Sequence, residues 1–94
     1  MKIIAVCGAG IGTSAILKVN AERALERLEL SADVDASDLA GVAVAAADAQ
    51  VILTSTELAD AVRDAIGRSF TEVVEVVNYF DVDEITRLLE RSLA

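Results

Sequence analysis

The stretch Lys2-Ile3-Ile4-Ala5-Val6-Cys7-Gly8-Ala9-Gly10-Ile11-Gly12-Thr13-Ser14 decides how the rest of the chain is read. Ile3–Val6 is a short, β-branched apolar run that stops at a cluster of glycines. Such a run reads as a strand buried on both faces. Beyond the glycines, from about Thr13 to Glu29, Leu17, Ala21, Ala24, Leu25 and Leu28 recur at helical spacing. Glu22, Arg23, Glu26 and Arg27 occupy the other faces, which makes an amphipathic helix. Strand, glycine turn and helix together open a βαβ unit.

The pattern repeats down the chain. Ala32–Ala36 alternates small apolar and acidic residues, as a half-exposed strand does. Ser37 or Asp38 is placed to cap a short helix running through Ala47. Val51–Leu53 is a second strong strand core, ended by Thr54-Ser55-Thr56, which can cap the next helix. In that helix Leu58, Ala59, Val62 and Ile66 share a face, and Gly67 suits its stop. Val73, Val74, Val76 and Val77 form a third strong strand with Glu75 on one face. Asp81 then opens a last helix whose stripe is Ile85, Leu88, Leu89 and Leu93, with Glu84 at the spacing of an acidic capping box.

This βαβαβαβα order predicts an α/β fold: a four-stranded parallel open sheet, order 2-1-3-4, with right-handed crossovers and helices on both faces, flavodoxin-like. The apolar strands 1, 3 and 4 suit the interior and the polar strand 2 an edge. Ligands of such sheets bind beyond the carboxyl ends of the strands, where the strand order reverses. Here that point lies between strands 1 and 3, so the expected site is the loop that begins at Cys7.

Composition narrows the chemistry. The 94 residues, 54% hydrophobic, make one domain, 1–94, with no visible linker, repeat or proline. Sixteen acids against eight bases leave a net charge of −8, which disfavours nucleic acid and anionic membrane surfaces as partners. Mean hydropathy is +0.51, yet the longest apolar stretch is Val42–Ala47, so no membrane insertion is expected. Ile3–Val6 is too short for the apolar region of a signal peptide, and Val6 is too bulky for cleavage before Cys7. There is no histidine, hence no His-centred triad, and a single cysteine makes neither an internal disulfide nor a zinc site. No metal or other cofactor is expected, and a reducing, cytoplasmic setting fits.

The chemistry therefore falls to Cys7 and the segment Gly8, Ala9, Gly10, Ile11, Gly12, Thr13 and Ser14. Gly8, Gly10 and Gly12 allow successive N–H groups to point inward as an anion-binding nest. The helix N-terminus adds unpaired donors and partial positive charge. Thr13 and Ser14 can donate hydroxyl hydrogen bonds to a thiolate or a bound anion. A cysteine so placed has a depressed pKa and is nucleophilic as thiolate. The same nest can hold a phosphoryl group on sulfur, and positioning plus charge stabilisation are most of what phosphoryl transfer needs. The first acid in the chain is Glu22, whereas Lys2 and Lys18 precede it, so an anion meets the least acidic stretch here. The competing reading of Cys7 is a small, inert core residue. A dinucleotide site is excluded because Thr13 stands where the third glycine of G-x-G-x-x-G belongs, and no Gly-Lys-Ser/Thr completes a nucleotide P-loop.

The run Cys7–Ser14 after its Lys-Ile-Ile-Ala-Val strand resembles the phosphorylation loop of enzyme IIB components of bacterial phosphoenolpyruvate-dependent sugar phosphotransferase systems (PTS). It is most similar to the ascorbate branch, with lactose/cellobiose and galactitol branches as relatives. The segments Ala47–Ser55 and Val76–Phe80 fit as well. The resemblance implies that Cys7 accepts a phosphoryl group from a phosphohistidine on a IIA protein. It implies further that Cys7 passes that group to a sugar, L-ascorbate in the ascorbate branch, held by a membrane IIC permease.

Two alternatives share the loop. Low-molecular-weight phosphatases and arsenate reductases carry Cys-x5-Arg-Ser, but Thr13 stands at the arginine's place and there is no Asp-Pro acid. The bidentate clamp of a hydrolase is thus missing, and a phosphocysteine would persist to be handed on. A non-catalytic regulatory module phosphorylated on Cys7 is the other. Thr54, Ser55, Asn78 and Tyr79 are expected at strand ends on the side of Cys7, as caps and turns or as partner contacts, and Lys18 as a solvated helix residue.

Overall fold

The computed structural model describes residues 1–6, 11–67 and 71–93, with side chains in the first helix described from Ala15 onward. Four strands and four helices alternate: β1 (Lys2–Val6), α1 (Ile11–Arg27), β2 (Asp33–Ser37), α2 (Val42–Ala45), β3 (Val51–Ser55), α3 (Ala59–Ile66), β4 (Glu72–Val76) and α4 (Val82–Leu93). The strands form one sheet in the order β2-β1-β3-β4, and every pairing is parallel. The predicted topology is therefore the observed one.

Two apolar layers hold the helices against the sheet. Ile3 and Ala5 of β1 with Val51 and Leu53 of β3 face α1 and α4, packing on Leu17, Ala21, Leu25, Ile85 and Leu89. Ile4, Val6 and Ile52 point the other way, onto Val42 of α2 and Val62 of α3. This alternation is the period-two geometry of a strand covered on both faces. It explains why Ile3–Val6 contains no polar residue.

Several boundaries differ from those the sequence suggests. Helix α1 opens two residues before Thr13, at Ile11, and closes at Arg27. Its end is a Schellman arrangement: the Leu30 N–H donates to Leu25 O and the Glu29 N–H to Glu26 O. Glu29 takes the left-handed conformation that this cap requires, with φ 56°. Strand β2 begins one residue later than read, at Asp33, and only Val34 is buried in it. Strand β3 runs on through Thr54 to Ser55.

Helix α2 is a single turn, not a helix from Asp38 to Ala47. Asp38 does not cap it; its Oδ1 accepts the Gly41 N–H at 2.7 Å and closes the preceding turn. A Cβ at Gly41 would lie 3.1 Å from that oxygen, so a larger residue there would push the Asp38 side chain back by a few tenths of an ångström. Two of its four residues are the β-branched Val42 and Val44, which favour helix less than alanine does, and Val44 is 85% exposed.

Strand β4 lies at the sheet edge, and Val77 falls outside it, 84% exposed. Val74 and Val76 are buried, while Glu72 and Glu75 face solvent, charges that blunt an open edge. Gly67 ends α3 as expected, with φ 63° and its N–H donating to Arg63 O. No described helix is long and apolar enough to cross a membrane.

Candidate functional site

The carboxyl ends of β1 and β3 lie side by side at the switch point, where Val6 pairs with Thr54. Cys7 follows Val6 in sequence. Cys7, Gly8, Ala9 and Gly10 lie outside the described residues. Ile11, Gly12, Thr13 and Ser14 belong to the first turn of α1, and their side chains lie outside the description. Gly12 is thus a helical residue, not a loop residue as the sequence suggests. The first-turn amides of any α-helix lack partners four residues back, so this end of α1 offers donors toward the β1 terminus.

Around this point stand the rim residues. Ser55 Oγ accepts the Leu58 N–H at 3.2 Å and closes the turn before α3; the N-cap of that helix is Leu58, with no side-chain cap, so the cap expected from Thr54-Ser55-Thr56 does not form. Asn78 Oδ1 accepts the Phe80 N–H at 3.0 Å, closing the turn after β4. The carbonyl of Tyr79 accepts from Asn20 Nδ2 at 2.7 Å, and the Tyr79 ring packs on the α1/α4 layer. Ser55 and Asn78 close turns, as their residue types suggest. Lys18 is half-buried on α1 and enters no ion pair among the described residues.

Thr54 is different. It is fully buried, and its Oγ1 has no hydrogen-bond partner among the described residues. Leaving a buried hydroxyl unpaired costs about 1–3 kcal/mol.

Two residues hold the rim in place: Glu84, to which the sequence assigns another role, and Asn20, which the sequence reading passed over. Glu84 is not the return half of a capping box. Asp81 Oδ1 does accept the Glu84 N–H at 3.1 Å, as an N-cap should. The Glu84 carboxylate, however, reaches past Asp81 to accept the N–H groups of Val77 at 2.8 Å and Asn78 at 2.9 Å. The Asp81 amide is satisfied by Asn78 O instead. Asn20, 7% exposed, ties the same segment to α1. Its signal in the sequence was a polar residue on the buried stripe between Leu17 and Ala24.

The segment so fixed forms one wall of an apolar groove of about 460 Å³. Ile16, Val19 and Arg23 of α1 face Phe80 and Val82 across it. Phe80 is 69% exposed, and Arg23 is the charged residue of the lining. Away from the site, the Lys2 ammonium, hydrogen-bonded to Asp48 at 3.1 Å, holds that carboxyl below its ordinary value.

An open parallel sheet whose switch-point strand is followed after four residues by a helix defines a small flavodoxin-like α/β domain. The chain matches the model of the family described as "PTS system, Lactose/Cellobiose specific IIB subunit" over residues 2–91. The chain belongs to this IIB family. It is 29% identical over 93 residues to the "Ascorbate-specific PTS system EIIB component" of Mycoplasma pneumoniae, covering 99% of this chain and 95% of that one. Among solved structures it is similar to a lactose-specific IIB domain from Streptococcus pneumoniae, with TM-score 0.72 and 17% identity, over 99% of this chain and 94% of the other. A low-molecular-weight protein tyrosine phosphatase from Bacillus subtilis shares the fold at TM-score 0.60 and 15% identity, over 98% and 89% of the two chains. The family places the chain as a phosphoryl-carrying transferase component of a sugar phosphotransferase system, a system that also includes IIA and IIC components. The family resemblance read from the Cys7 segment is thus borne out.

Proposed function

We propose that Cys7 is the phosphoryl carrier and that Gly8 through Ser14 cradle the phosphoryl oxygens. The observation that carries this reading is the position of Cys7, next after the strand end that adjoins β3 at the switch point, four residues before α1 opens. In the first step the Cys7 thiolate attacks the phosphorus of a phosphohistidine on a IIA protein. An S–P bond forms, the N–P bond breaks, and its electron pair returns to the imidazole. In the second step a hydroxyl oxygen of the sugar in the IIC permease attacks the same phosphorus. The S–P bond breaks, the thiolate is regenerated, and the hydroxyl proton leaves to base or solvent. The first-turn amides of α1 support both steps, because they are donors that need no reorganisation as charge moves.

The sugar we assign is L-ascorbate, on the strength of the similarity to the Mycoplasma pneumoniae component. The working location is the cytoplasmic face of the permease. The apolar groove beside α1 lies on the IIA-facing side in this reading, with Phe80 and Val19 as exposed contacts. Thr13 at the place of the phosphatase arginine supports transfer over hydrolysis.

Phosphotransfer from a panel of purified phospho-IIA proteins, read by intact mass, tests this. The wild-type chain is expected to gain one phosphoryl group and Cys7→Ser none, with its fold unchanged by circular dichroism. Labelling that persists in C7S defeats the assignment of Cys7.

A further inference from the structure

Helix α1 and the turn after β4 share an apolar surface that the fold does not bury. The stripe Leu17, Ala21, Ala24 and Leu25 seats α1 on the sheet. Ile16, Val19 and Arg23 form a second stripe along one helix face and look onto Phe80 and Val82 across the groove of about 460 Å³. Val19 and Phe80 are both exposed. The turn that carries Phe80 is nevertheless held firmly. Its own N–H donates to Asn78 Oδ1, the Tyr79 carbonyl accepts from Asn20, and Glu84 takes the amides of Val77 and Asn78. An aromatic ring fixed in water on a hydrogen-bonded turn adds nothing to the fold. It is what a preformed contact needs, because little freedom is lost on binding. The groove also opens at the end of the sheet where the switch point lies: Phe80 follows the carboxyl end of β4, which runs parallel to β3 and β1.

The charge of the groove points to its occupant. The chain has sixteen acids and eight bases, yet no acid is among the described residues that line the groove. Its charged residue is Arg23, exposed and in no ion pair among the described residues. The complementary surface is apolar with a carboxylate beside it. A second copy of the chain fits poorly, because a two-fold contact sets one Arg23 patch against another between molecules of net charge −8. A permease fits poorly too, since the cytoplasmic loops of membrane proteins carry an excess of Lys and Arg. We infer that the groove is the docking site of the phosphodonor IIA protein, which presents an apolar side chain to Phe80 and Val19 and a carboxylate to Arg23. This inference rests on the reading of the chain as a phosphoryl carrier loaded by such a protein. Phe80 and Arg23 then set which donor is taken and how tightly it is held.

The test follows loading of the whole chain by intact mass, under single turnover, at increasing concentration of the phospho-IIA protein that loads wild type. F80A and R23A are each expected to raise the half-saturating donor concentration about tenfold, as loss of an interface anchor does. R23K is expected to raise it about threefold, because an ammonium keeps the charge and loses the paired donors of the guanidinium. The loss appears in that concentration and not in the rate at saturation. Raising sodium chloride from about 50 to about 500 mM is expected to shrink the advantage of wild type over R23A but not over F80A, since salt screens a charge pair and not an apolar contact. Unchanged half-saturation in F80A and R23A, or a fall in the saturating rate alone, overturns the inference while leaving Cys7 in its role. Loss confined to onward transfer to permease-bound sugar gives the groove to the permease and overturns it. So does a wild-type dimer in sedimentation that F80A turns into a monomer. A wild-type chain that no phospho-IIA protein loads overturns the carrier reading, and this inference with it.

Discussion

At the residue scale, the clearest departure from ideal chemistry is Glu29. A Schellman cap wants glycine, because the left-handed region costs an L-residue about 1–2 kcal/mol. Here the φ of 56° falls on a glutamate at the carboxyl end of α1, where the helix dipole also disfavours negative charge. The cap hydrogen bonds are backbone groups and do not need the side chain. Glu29→Gly is therefore expected to stabilise the fold by about 1 kcal/mol, the left-handed penalty less the entropy a glycine adds to the unfolded chain. Urea denaturation measures it. A variant less stable than wild type would mean that the Glu29 side chain does more for the native state than this backbone account allows.

At the scale of elements, what was legible in the sequence follows from how each one is buried. Strands β1 and β3 could be read because both faces are covered, so Ile3–Val6 and Val51–Leu53 are unbroken apolar runs. Strand β4 was misjudged by a residue because it opens on the exposed Glu72, while Val77 continues the valine run beyond the pairing. The stretch to Ala47 reads as a longer helix than the single turn that forms at Val42–Ala45, since alanine and valine alone do not say which face meets the sheet. The cysteine segment was legible because it is contiguous. The Thr54 hydroxyl and the Glu84 clamp were not, because one depends on what fails to surround a side chain and the other on where a carboxylate reaches. The clamp has its own consequence. Glu84 accepts two successive amides with its two oxygens, and glutamine offers one oxygen and an NH2 that opposes the second N–H. Glu84→Gln is expected to cost about 1.5 kcal/mol, the low end for a charge-assisted hydrogen bond, since water reaches these groups. Hydrogen exchange localises the loss: the Val77 and Asn78 amides should speed up while those of β1 and β3 do not. Unchanged exchange at both amides would remove Glu84 from its role in holding the rim.

At the scale of the whole molecule, two electrostatic effects oppose each other. The described ion pairs are Lys2–Asp48, Arg27–Asp83, Arg63–Asp60 and Arg63–Glu75, all at the surface with exposed acids. Pairs of this kind are worth about 0–1 kcal/mol each and weaken as salt screens them. Against them stands the net charge of −8 on a 94-residue chain, whose self-repulsion is relieved by the same screening. The cations number eight and the acids sixteen, so half of the acids have no cation to balance them whatever pairs form. Repulsion wins this comparison, and the melting temperature is expected to rise by a few degrees, roughly the worth of 1 kcal/mol in a domain this size, between 10 and 200 mM sodium chloride. Calorimetry across that series at pH 7 checks it. Acidification adds a second arm with its own sign. Asp48 has a depressed folded-state pKa, so its tie to Lys2 stabilises above the ordinary carboxylate value and is lost as pH falls through the lower one. A melting temperature that falls as salt is added would mean that the few surface pairs outweigh the excess of acid.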